Sequence, residues 1–461
     1  MTKTYRTEHD SMGELQVPAD AMYQAQTQRA VNNFTISSLV MPTSFIRALA
    51  HVKRAAAKTN NKLGYLDSQR FVAISKACSE IINGQHLEQF PVDVFQTGSG
   101  TSSNMNANEV IATRASEILG EKVHPNDHVN MGQSSNDVIP TTIHVSAAIA
   151  IEQSLQPALD HLLSVIEAKI EQIGEHVKTG RTHLMDAMPI TFAQSMSAWR
   201  EQVAKAKHHI HASASQLNQL AQGGTAVGTG INADPRFAEL FAHELSQQTN
   251  VCFMPADNLF FQIATQDTAV AVSGQLKTLA VALMKIANDL RWMNSGPLSG
   301  LGEIELEALQ PGSSIMPGKV NPVIPEATAM AAAQVIGNDA TITVAGQSGN
   351  FELNVMLPVV AYNLLQSIEI LTNTSIALAD KAIASFRVNE HNLTHSLAKN
   401  PILVTALNPV IGYEKAAAIA KKAYAEQKSI LNVAAAETDI DYQELKVLLD
   451  PTKLTQGGIN S

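Results

Sequence analysis

The stretch from Asn258 to Met293 reads NLFFQIATQDTAVAVSGQLKTLAVALMKIANDLRWM, and it indicates the fold class. Its apolar residues recur every three to four positions and cover most of the circumference, as in a helix buried between other helices. These positions are Ala269, Val270, Val272, Leu276, Leu279, Ala280, Leu283, Met284 and Ile286. Because Lys277 and Lys285 interrupt the most apolar part, we expect no run of the roughly 18 apolar residues that spans a bilayer.

Other segments show the same spacing. They are rich in Ala, Leu, Gln, Lys and Glu, whereas alternating β-branched runs are scarce, and this composition favours helices over strands. The predicted helices are Phe45–Leu63, Asn106–Leu119, Asn136–Ile173, Ile190–Ala221, Asn258–Met293 and one that starts near Pro325-Glu326. Within Asn136–Ile173 we expect Pro140 to start the helix and Pro157 to kink it. The sequence therefore predicts an all-α fold built on a bundle of long helices.

Loops that break this pattern predict three domains. Residues 1–135 would form an N-terminal helical domain, residues 136–390 the central bundle, and residues 391–461 a small C-terminal helical domain. The last is more polar and is punctuated by Asn400-Pro401, Asn408-Pro409 and Gly412, which are residues typical of helix ends and turns.

The composition restricts the class of protein and its partners. Charged residues make up 16% of the 461 residues, against roughly 25% in an ordinary soluble chain, so we expect part of the surface to be covered by further copies. The net charge of −10 argues against nucleic-acid or membrane partners. Cys78 and Cys252 form neither a disulfide framework nor a metal-ligand spacing, and the N-terminal residues lack an apolar core. These features predict a cytoplasmic protein.

Four segments carry candidate chemistry. The first is Thr97-Gly-Ser-Gly-Thr-Ser-Ser-Asn104, where small hydroxyl residues and glycines precede a predicted helix. Backbone N–H groups at a helix N-terminus bind anions, although an ordinary capped turn has the same composition. The segment has no lysine at the spacing of a phosphate-binding loop.

The second segment is His124-Pro-Asn-Asp-His-Val-Asn130, followed by Gln133-Ser-Ser-Asn-Asp137. It concentrates side-chain donors ahead of a buried helix, which suits an anion. A polar turn explains the same residues. A metal held by His124, Asp127 and His128 is a third reading, but the spacing matches no zinc template.

The third segment is Gly180-Arg-Thr-His-Leu-Met-Asp-Ala-Met-Pro189. Histidine side chains can act as general acids or bases, so His183 could do so here, or it could serve a structural role. His208, His209 and His211 lie within a predicted helix and have no obvious third ligand, so we interpret them as surface or interface residues.

The fourth segment is Gly312-Ser-Ser-Ile-Met-Pro-Gly-Lys-Val-Asn-Pro322, continuing to Glu326. A glycine-flanked serine pair on a long loop is typical of a mobile lid. Lys319 offers a cation, Asn321 an amide, and Glu326 a carboxylate at a helix start. The segment lacks the Gly-x-Ser-x-Gly elbow of a hydrolase. Together the four segments suit a small carboxylate substrate and proton transfer at carbon.

At these residues the sequence resembles the fumarase/aspartase superfamily. The Gly312–Pro322 loop resembles its signature at every position, and the resemblance runs from Glu8-His-Asp-Ser-Met-Gly13 to Ile411-Gly-Tyr413. Within the superfamily the chain most resembles the class II fumarate hydratases. The aspartate ammonia-lyases typically have Gln where this chain has His183 and Ala where it has Gly318.

The resemblance implies an all-helical homotetramer in which long central helices form a shared bundle and three subunits contribute to each active site. It implies interconversion of fumarate and (S)-malate without a metal or organic cofactor. The nearest alternative is aspartate ammonia-lyase or another lyase of the superfamily. A non-catalytic structural protein on the same fold is the remote one.

The resemblance also implies a role for each matching residue. Ser313 would remove the C3 proton of malate, Lys319 and Asn321 would stabilise the resulting aci-acid, and His183, polarised by Glu326, would handle the water. The residues implied in binding the substrate carboxylates are Ser99, Gly100, Thr101, Ser134, Ser135, Asn136, Thr182, Ser314, Lys319, Val320 and Asn321. A second dicarboxylate site is implied at His124, Pro125, Asn126 and Asp127.

Overall fold

The computed structural model describes residues 4–458 and confirms the all-α prediction. In this part of the chain 17 α-helices are accompanied by short strands that pair only two by two. The helices are α1 (Ala25–Asn33), α2 (Thr43–Lys62), α3 (Ser68–Ile82), α4 (Thr101–Leu119), α5 (Ser135–Ala150), α6 (Gln156–Ile173), α7 (Phe192–Ala214), α8 (Phe237–Thr249), α9 (Leu259–Ala264), α10 (Asp267–Met293), α11 (Val323–Gly346), α12 (Leu357–Leu378), α13 (Glu390–Lys399), α14 (Asn408–Ile411), α15 (Tyr413–Glu426), α16 (Ile430–Glu437) and α17 (Tyr442–Leu448).

The strands form five small two-stranded sheets, four of them antiparallel. Those that matter for the site are the two strands of one hairpin, Val177–Thr182 and Met185–Thr191. In chain order the strands are β1 (Tyr5–Asp10), β2 (Gly13–Pro18), β3 (Val177–Thr182), β4 (Met185–Thr191), β5 (Gln219–Leu220), β6 (Met254–Pro255), β7 (Ile304–Glu305), β8 (Gly349–Asn350), β9 (Leu353–Asn354) and β10 (Arg387–Val388).

Several predicted helices are confirmed with shifted bounds. Pro140 does not start a helix: it lies inside α5, which begins at Ser135 because Ser134 and Asp137 form a capping box there. Before Pro157 the chain makes a π-helical turn, Ile151–Leu155, since proline cannot supply the N–H of a regular turn. The predicted helix Ile190–Ala221 begins only at Phe192, after β4.

The chain divides into two compact units. Unit 1 comprises residues 1–158, 206–280 and 331–373, and unit 2 comprises residues 159–205, 281–330 and 374–461. In unit 1, α2 packs against α3, α5 and α8, and the predicted apolar stripe of α2 is buried at Ile46, Leu49, Ala50, Val52 and Ala56. The division into three domains at residues 135 and 390 stays a prediction.

In unit 2, the β3–β4 hairpin packs against α13 and against the 3-10 turns Pro401–Leu407 and Lys453–Thr455. The last helices bury a cluster of their own, which includes Leu407, Ile419, Val433 and Leu445. This cluster holds together the C-terminal part that the sequence marks as a separate helical segment.

The expectation that Lys277 and Lys285 leave no apolar run of membrane-spanning length is wrong for helix α10. Its 27 residues are long and apolar enough to cross a membrane by length and composition, and half of its most apolar window is buried inside the protein. Lys277 pairs with Asp339 at 2.6 Å, and Lys285 pairs with Asp289. A buried helix with charged groups paired to neighbouring residues fits the interior of a helical protein.

Candidate active site

The N-terminus of α4 forms one wall of the candidate site in unit 1. The hydroxyl oxygens of Ser99 and Thr101 lie 2.8 Å apart, and Gly100 occupies the cap position with φ +71°. A side chain at Gly98 would collide with the carbonyl oxygen of Val355, 1.8 Å from an added Cβ. Glycine is therefore required at Gly98, and the loop leaves N–H and O–H donors at the start of a 19-residue helix.

The N-terminus of α5 is held by an acidic cap. The Ser134 hydroxyl accepts the N–H of Asn136 at 3.2 Å, and Asp137 accepts the N–H of Ser134 at 2.9 Å. The second carboxylate oxygen of Asp137 accepts the N–H groups of Gly223 and Thr225 at 3.1 and 2.8 Å. Burial raises the pKa of Asp137 to about 7. This residue ties the Ser134–Asn136 run to the glycine-rich loop that follows residue 221.

Unit 1 brings these two helix ends together. An added Cβ on Gly100 would lie 2.9 Å from Ile139 of α5, and the side chain of Asn104 in α4 donates to the hydroxyl oxygen of Ser135 at 3.0 Å. Each helix N-terminus carries about half a positive charge. The structure thus gathers into one place the candidate carboxylate-binding residues Ser99, Gly100, Thr101, Ser134, Ser135 and Asn136.

The His124–Asp127 run of the suggested second site is a π-helical turn, Pro125–Val129. The Nδ1 of His124 accepts the backbone N–H groups of Asn126 and Asp127, and the Nδ1 of His128 accepts the N–H of His124 at 2.8 Å. Because both Nδ1 lone pairs accept backbone N–H groups, they are not offered to a metal. Asn126 and Asp127 are exposed.

In unit 2, His183 lies at the tip of the β3–β4 hairpin. His183 and Leu184 have φ of 56° and 61°, so both central residues of the two-residue turn adopt the left-handed conformation that a type I′ hairpin requires. Non-glycine residues rarely adopt it, and such strain concentrates at functional sites. Thr182 and His183 are exposed, which leaves the imidazole accessible.

A buried ion cluster holds this hairpin. The Glu303 carboxylate forms ion pairs with the Lys178 ammonium and the Arg181 guanidinium, each at 2.7 Å. The side chains of Lys178 and Glu303 are only 6% and 5% exposed. Burial lowers the pKa of Lys178, and Glu303 acts in the opposite direction. Lys178 and Arg181 lie on β3, four residues and one residue before Thr182. Glu303 therefore fixes the strand that leads into the turn.

In unit 2, hydrogen bonds join the two ends of the Gly312–Pro322 loop. The N–H of Gly312 donates to the carbonyl oxygen of Lys319 at 2.7 Å, and the Asn321 side chain donates to the carbonyl oxygen of Gly312 at 2.8 Å. The Lys319 ammonium in turn donates to the Asn321 side-chain oxygen. The oxygen of Ser313 accepts the N–H groups of Ile315 and Met316 at 3.2 and 3.0 Å. The loop thus surrounds a serine oxygen with donors and holds a cation on the same turn.

The other residues expected around the loop are accessible. Ser314, Lys319 and Val320 are exposed, and Glu326 is half-buried in the first turn of α11. Across residues 4–458, no hydrogen bond joins Ser313, His183 and Glu326 to one another. His208, His209 and His211 are exposed on α7, in agreement with their interpretation as surface residues.

Three residues that support the site from behind, Asp137, Glu303 and Lys53, were not predicted from the sequence. Asp137 stands three positions after Ser134, which is the spacing of a capping box, and that spacing could have identified its role. Glu303 and Lys53 stand outside all four segments, and no local pattern marks them. Their partners come from distant parts of the chain.

Comparison with known proteins agrees with this geometry. A family model described as lyase matches residues 13–337, and one described as the fumarase C C-terminus matches residues 403–456. The chain is 66% identical to fumarate hydratase class II 2 of Pseudomonas aeruginosa over 459 residues, which cover 100% of both chains. It is 58% identical to fumarate hydratase class II of Xylella fastidiosa, covering 99% of this chain and 96% of that one.

Solved structures show the same similarity. The recombinant class II fumarase of Schistosoma mansoni superimposes with a TM-score of 0.94 at 38% identity, covering 98% of this chain and 99% of that one. The fumarate lyase:delta crystallin of Brucella melitensis superimposes with a TM-score of 0.93 at 44% identity, covering 98% and 100%. The resemblance read from the four segments is therefore confirmed, and the chain belongs to the class II fumarate hydratase family.

Proposed function

We propose that this protein is a hydro-lyase that interconverts fumarate and (S)-malate by reversible, stereospecific addition and elimination of water. The observation that carries the proposal is the environment of Ser313, whose oxygen accepts two backbone N–H groups on the loop that also holds Lys319 and Asn321. A serine hydroxyl is a weak base unless its alkoxide is stabilised, and donors aimed at the oxygen provide that stabilisation. The family relationship supports the same chemistry.

In the dehydration direction the Ser313 alkoxide takes the C3 proton of malate. The electron pair left on C3 is delocalised into the neighbouring carboxylate and gives an aci-acid with two negative charges on that group. Lys319 is the cation nearest in sequence to the base, and Asn321 holds its ammonium on the loop. Such charge stabilisation in a closed site is the largest contribution in many enzymes.

His183 completes the reaction at C2. As an imidazolium it gives a proton to the C2 hydroxyl, which leaves as water while the aci-acid electrons form the double bond. In the hydration direction the neutral imidazole takes a proton from water as the oxygen attacks C2. The family relationship assigns to Glu326 the polarisation of His183, since a carboxylate placed beside a histidine stabilises its charged form.

The substrate carboxylates are bound at the helix ends of unit 1 and by the residues near the loop. Ser99, Thr101, Ser135 and Asn136 offer hydroxyl, amide and backbone donors, while Thr182 and Ser314 offer further hydroxyls. These neutral donors suit a dianion in a protein whose net charge of −10 repels it at long range.

We propose further that the protein is a homotetramer in which three copies contribute to each site. One support is that no hydrogen bond joins Ser313, His183 and Glu326 to one another within residues 4–458. The other is that charged residues are only 16% of the chain. Closed symmetric assemblies bury such surface. We also propose a cytoplasmic location, supported by two free cysteines, Cys78 and Cys252.

The experiment that tests the activity offers the purified protein fumarate, malate and aspartate separately. Loss of the ultraviolet absorbance of the conjugated double bond of fumarate, without added ammonia and with (S)-malate as product, is expected. Turnover that requires ammonia, or release of ammonia from aspartate, would identify an aspartate ammonia-lyase instead. No turnover of any of the three would leave the structural-protein reading.

A further inference from the structure

A buried lysine lies behind the α5 end of the candidate site. Lys53 of α2 has no exposed surface. Its ammonium donates to the Oδ1 of Asn130 at 2.9 Å and to the Oε1 of Gln133 at 3.0 Å. Gln133 directly precedes Ser134, the N-cap of α5. The lysine is thus connected to the proposed carboxylate-binding run through a single residue.

The Lys53 ammonium determines whether each neighbouring amide side chain points its oxygen or its N–H group inward. An ammonium can only donate, so Asn130 must present its oxygen to Lys53. The side chains of Asn104 and Asn108 must then present their N–H groups to the same oxygen, and both do so at 3.2 Å. The other N–H of Asn104 donates to the hydroxyl oxygen of Ser135 at 3.0 Å.

This chain of donors leaves Ser135 one free hydrogen. Because its oxygen already accepts from Asn104, its single O–H hydrogen is available to an acceptor on the open side, where Ser135 is half-exposed. A carboxylate has only acceptor oxygens. The direction of every hydrogen bond from Lys53 to Ser135 therefore prepares the pocket for an anion.

The arrangement costs stability, which points to a role in binding. The Oδ1 atoms of Asn104 and Asn108 are buried and have no hydrogen-bond partner among residues 4–458, an orientation that is unfavourable for each amide. Buried charges often reduce stability relative to an apolar residue of similar volume.

We propose that Lys53 is a positioning residue of the dicarboxylate pocket, which through Asn130 and Asn104 orients the hydroxyl of Ser135 as a donor to the substrate. This inference rests on the proposed function, because it assigns a carboxylate to the pocket. It adds to that function a determinant of substrate binding that lies outside the pocket and touches no substrate atom.

The test is Lys53→Met, which keeps the volume and removes the charge. Loss of one oriented donor to a charged group predicts a KM for fumarate and for malate that is raised about tenfold, with kcat changed less than threefold. The midpoint of thermal unfolding should stay the same or rise. An unchanged KM together with a lowered midpoint would show a merely structural lysine and overturn the inference.

The matched control is Lys169→Met. Lys169 is also buried, and its ammonium donates to the carbonyl oxygen of Phe386 at 2.9 Å and to Gln172 at 3.0 Å. Within the described residues, Lys169 has no hydrogen bond to a residue of the site. Its variant should alter the unfolding midpoint but leave KM within twofold of the wild type. A comparable rise of KM in both variants would count against a specific role for Lys53.

Two further variants keep the test decisive if Lys53→Met does not fold. Asn104→Leu leaves the ammonium in place but removes the donor to Ser135, and it should raise KM severalfold. In the background Ser135→Ala, the effect of Asn104→Leu or Lys53→Met should shrink below twofold, because all three act through one hydroxyl. Additive effects would overturn the inference.

The proposed function and this inference can fail separately. Turnover of fumarate by the wild type tests the function. The dissociation constant of succinate, a saturated dicarboxylate that does not react, is measured by calorimetry on every variant and reports the pocket without turnover. Equal succinate affinity in the wild type and in Asn104→Leu would refute the inference even if the enzyme is active.

Discussion

Ser313 shows how a single oxygen can be prepared for proton transfer by backbone groups alone. The N–H groups of Ile315 and Met316 reach it from the following turn of the same loop. The sequence identified this serine, Lys319 and Asn321 because they share one short motif. It did not show that Asn321 is bound to both Lys319 and Gly312, since the closing of a loop depends on its backbone conformation.

Gly312 provides a residue-level prediction. An added Cβ would lie 2.5 Å from the carbonyl oxygen of Lys319, the atom to which Gly312 donates its own N–H. Gly312→Ala should therefore open the loop and lower kcat about 10- to 100-fold. The loop is largely exposed, so the unfolding midpoint should hardly change. Gly457→Ala, with nothing within 4 Å of its Cβ, is the control, and equal kcat in both variants would contradict the prediction.

At the scale of elements, the long helices were predictable and their interruptions were not. The apolar periodicity of Phe45–Leu63 corresponds to α2, but the predicted helix Asn258–Met293 is divided at Thr265 and Gln266 into α9 and α10. The break has no proline or glycine in it. The β3–β4 hairpin was not predicted, because apolar and polar residues do not alternate along its strands. Its turn also contains His183-Leu184 instead of the usual Asn-Gly.

The hairpin also supports a prediction about its anchor. Glu303→Gln leaves Lys178 and Arg181 without their carboxylate, and breaking a buried pair in this way costs about 3–5 kcal/mol. Urea unfolding should show that loss, and kcat should fall with it because the turn that carries His183 loosens. Glu305→Gln, an exposed neighbour, should cost less than about 0.5 kcal/mol. A Glu303 variant as stable as its control would refute the anchor role.

At the scale of the whole molecule, the half-buried His51 and the buried His144 make stability depend on pH. Burial lowers the pKa of His51 to about 4, with Arg54 acting in the same direction, and burial lowers the pKa of His144 to about 4. The unfolded chain binds protons near pH 6.5, whereas the folded chain excludes them until about pH 4. The stabilisation by these groups is thus complete above pH 6.5 and is lost as the pH falls towards 4.

The measurement compares the wild type with His144→Gln. Glutamine can replace the hydrogen bond between His144 Nδ1 and the carbonyl oxygen of Gln219, which is 2.9 Å long. Between pH 7.5 and pH 5 the wild type should lose about 2 kcal/mol more of its free energy of unfolding than the variant. Asp137, whose raised pKa acts in the opposite direction, is present in both proteins and cancels in the difference. Equal losses would contradict the assignment.

Sharing of the site between copies predicts complementation. Ser313→Ala and His183→Asn should each be nearly inactive, since each removes one of the two proton-transfer groups. If the two residues of one site come from different copies, co-expressing the variants in equal amounts restores about a quarter of the sites by random assembly. Activity should therefore return to about a quarter of the wild type. No recovery in a mixed tetramer, verified by differently tagged chains, would place both residues in one copy.

The two helix N-termini that meet at Thr101 and Ser135 bear on the lifetime of the protein itself. Their positive ends lie side by side, and like charges in contact repel each other until an anion joins them. On the proposed function we expect a dicarboxylate to stabilise the folded chain as it binds there: at a hundred times its dissociation constant it would add about 2.7 kcal/mol to the free energy of unfolding. Chains without substrate unfold more often and are exposed to proteases. On the proposed function we therefore expect the supply of dicarboxylate to help set how long each copy of the chain survives.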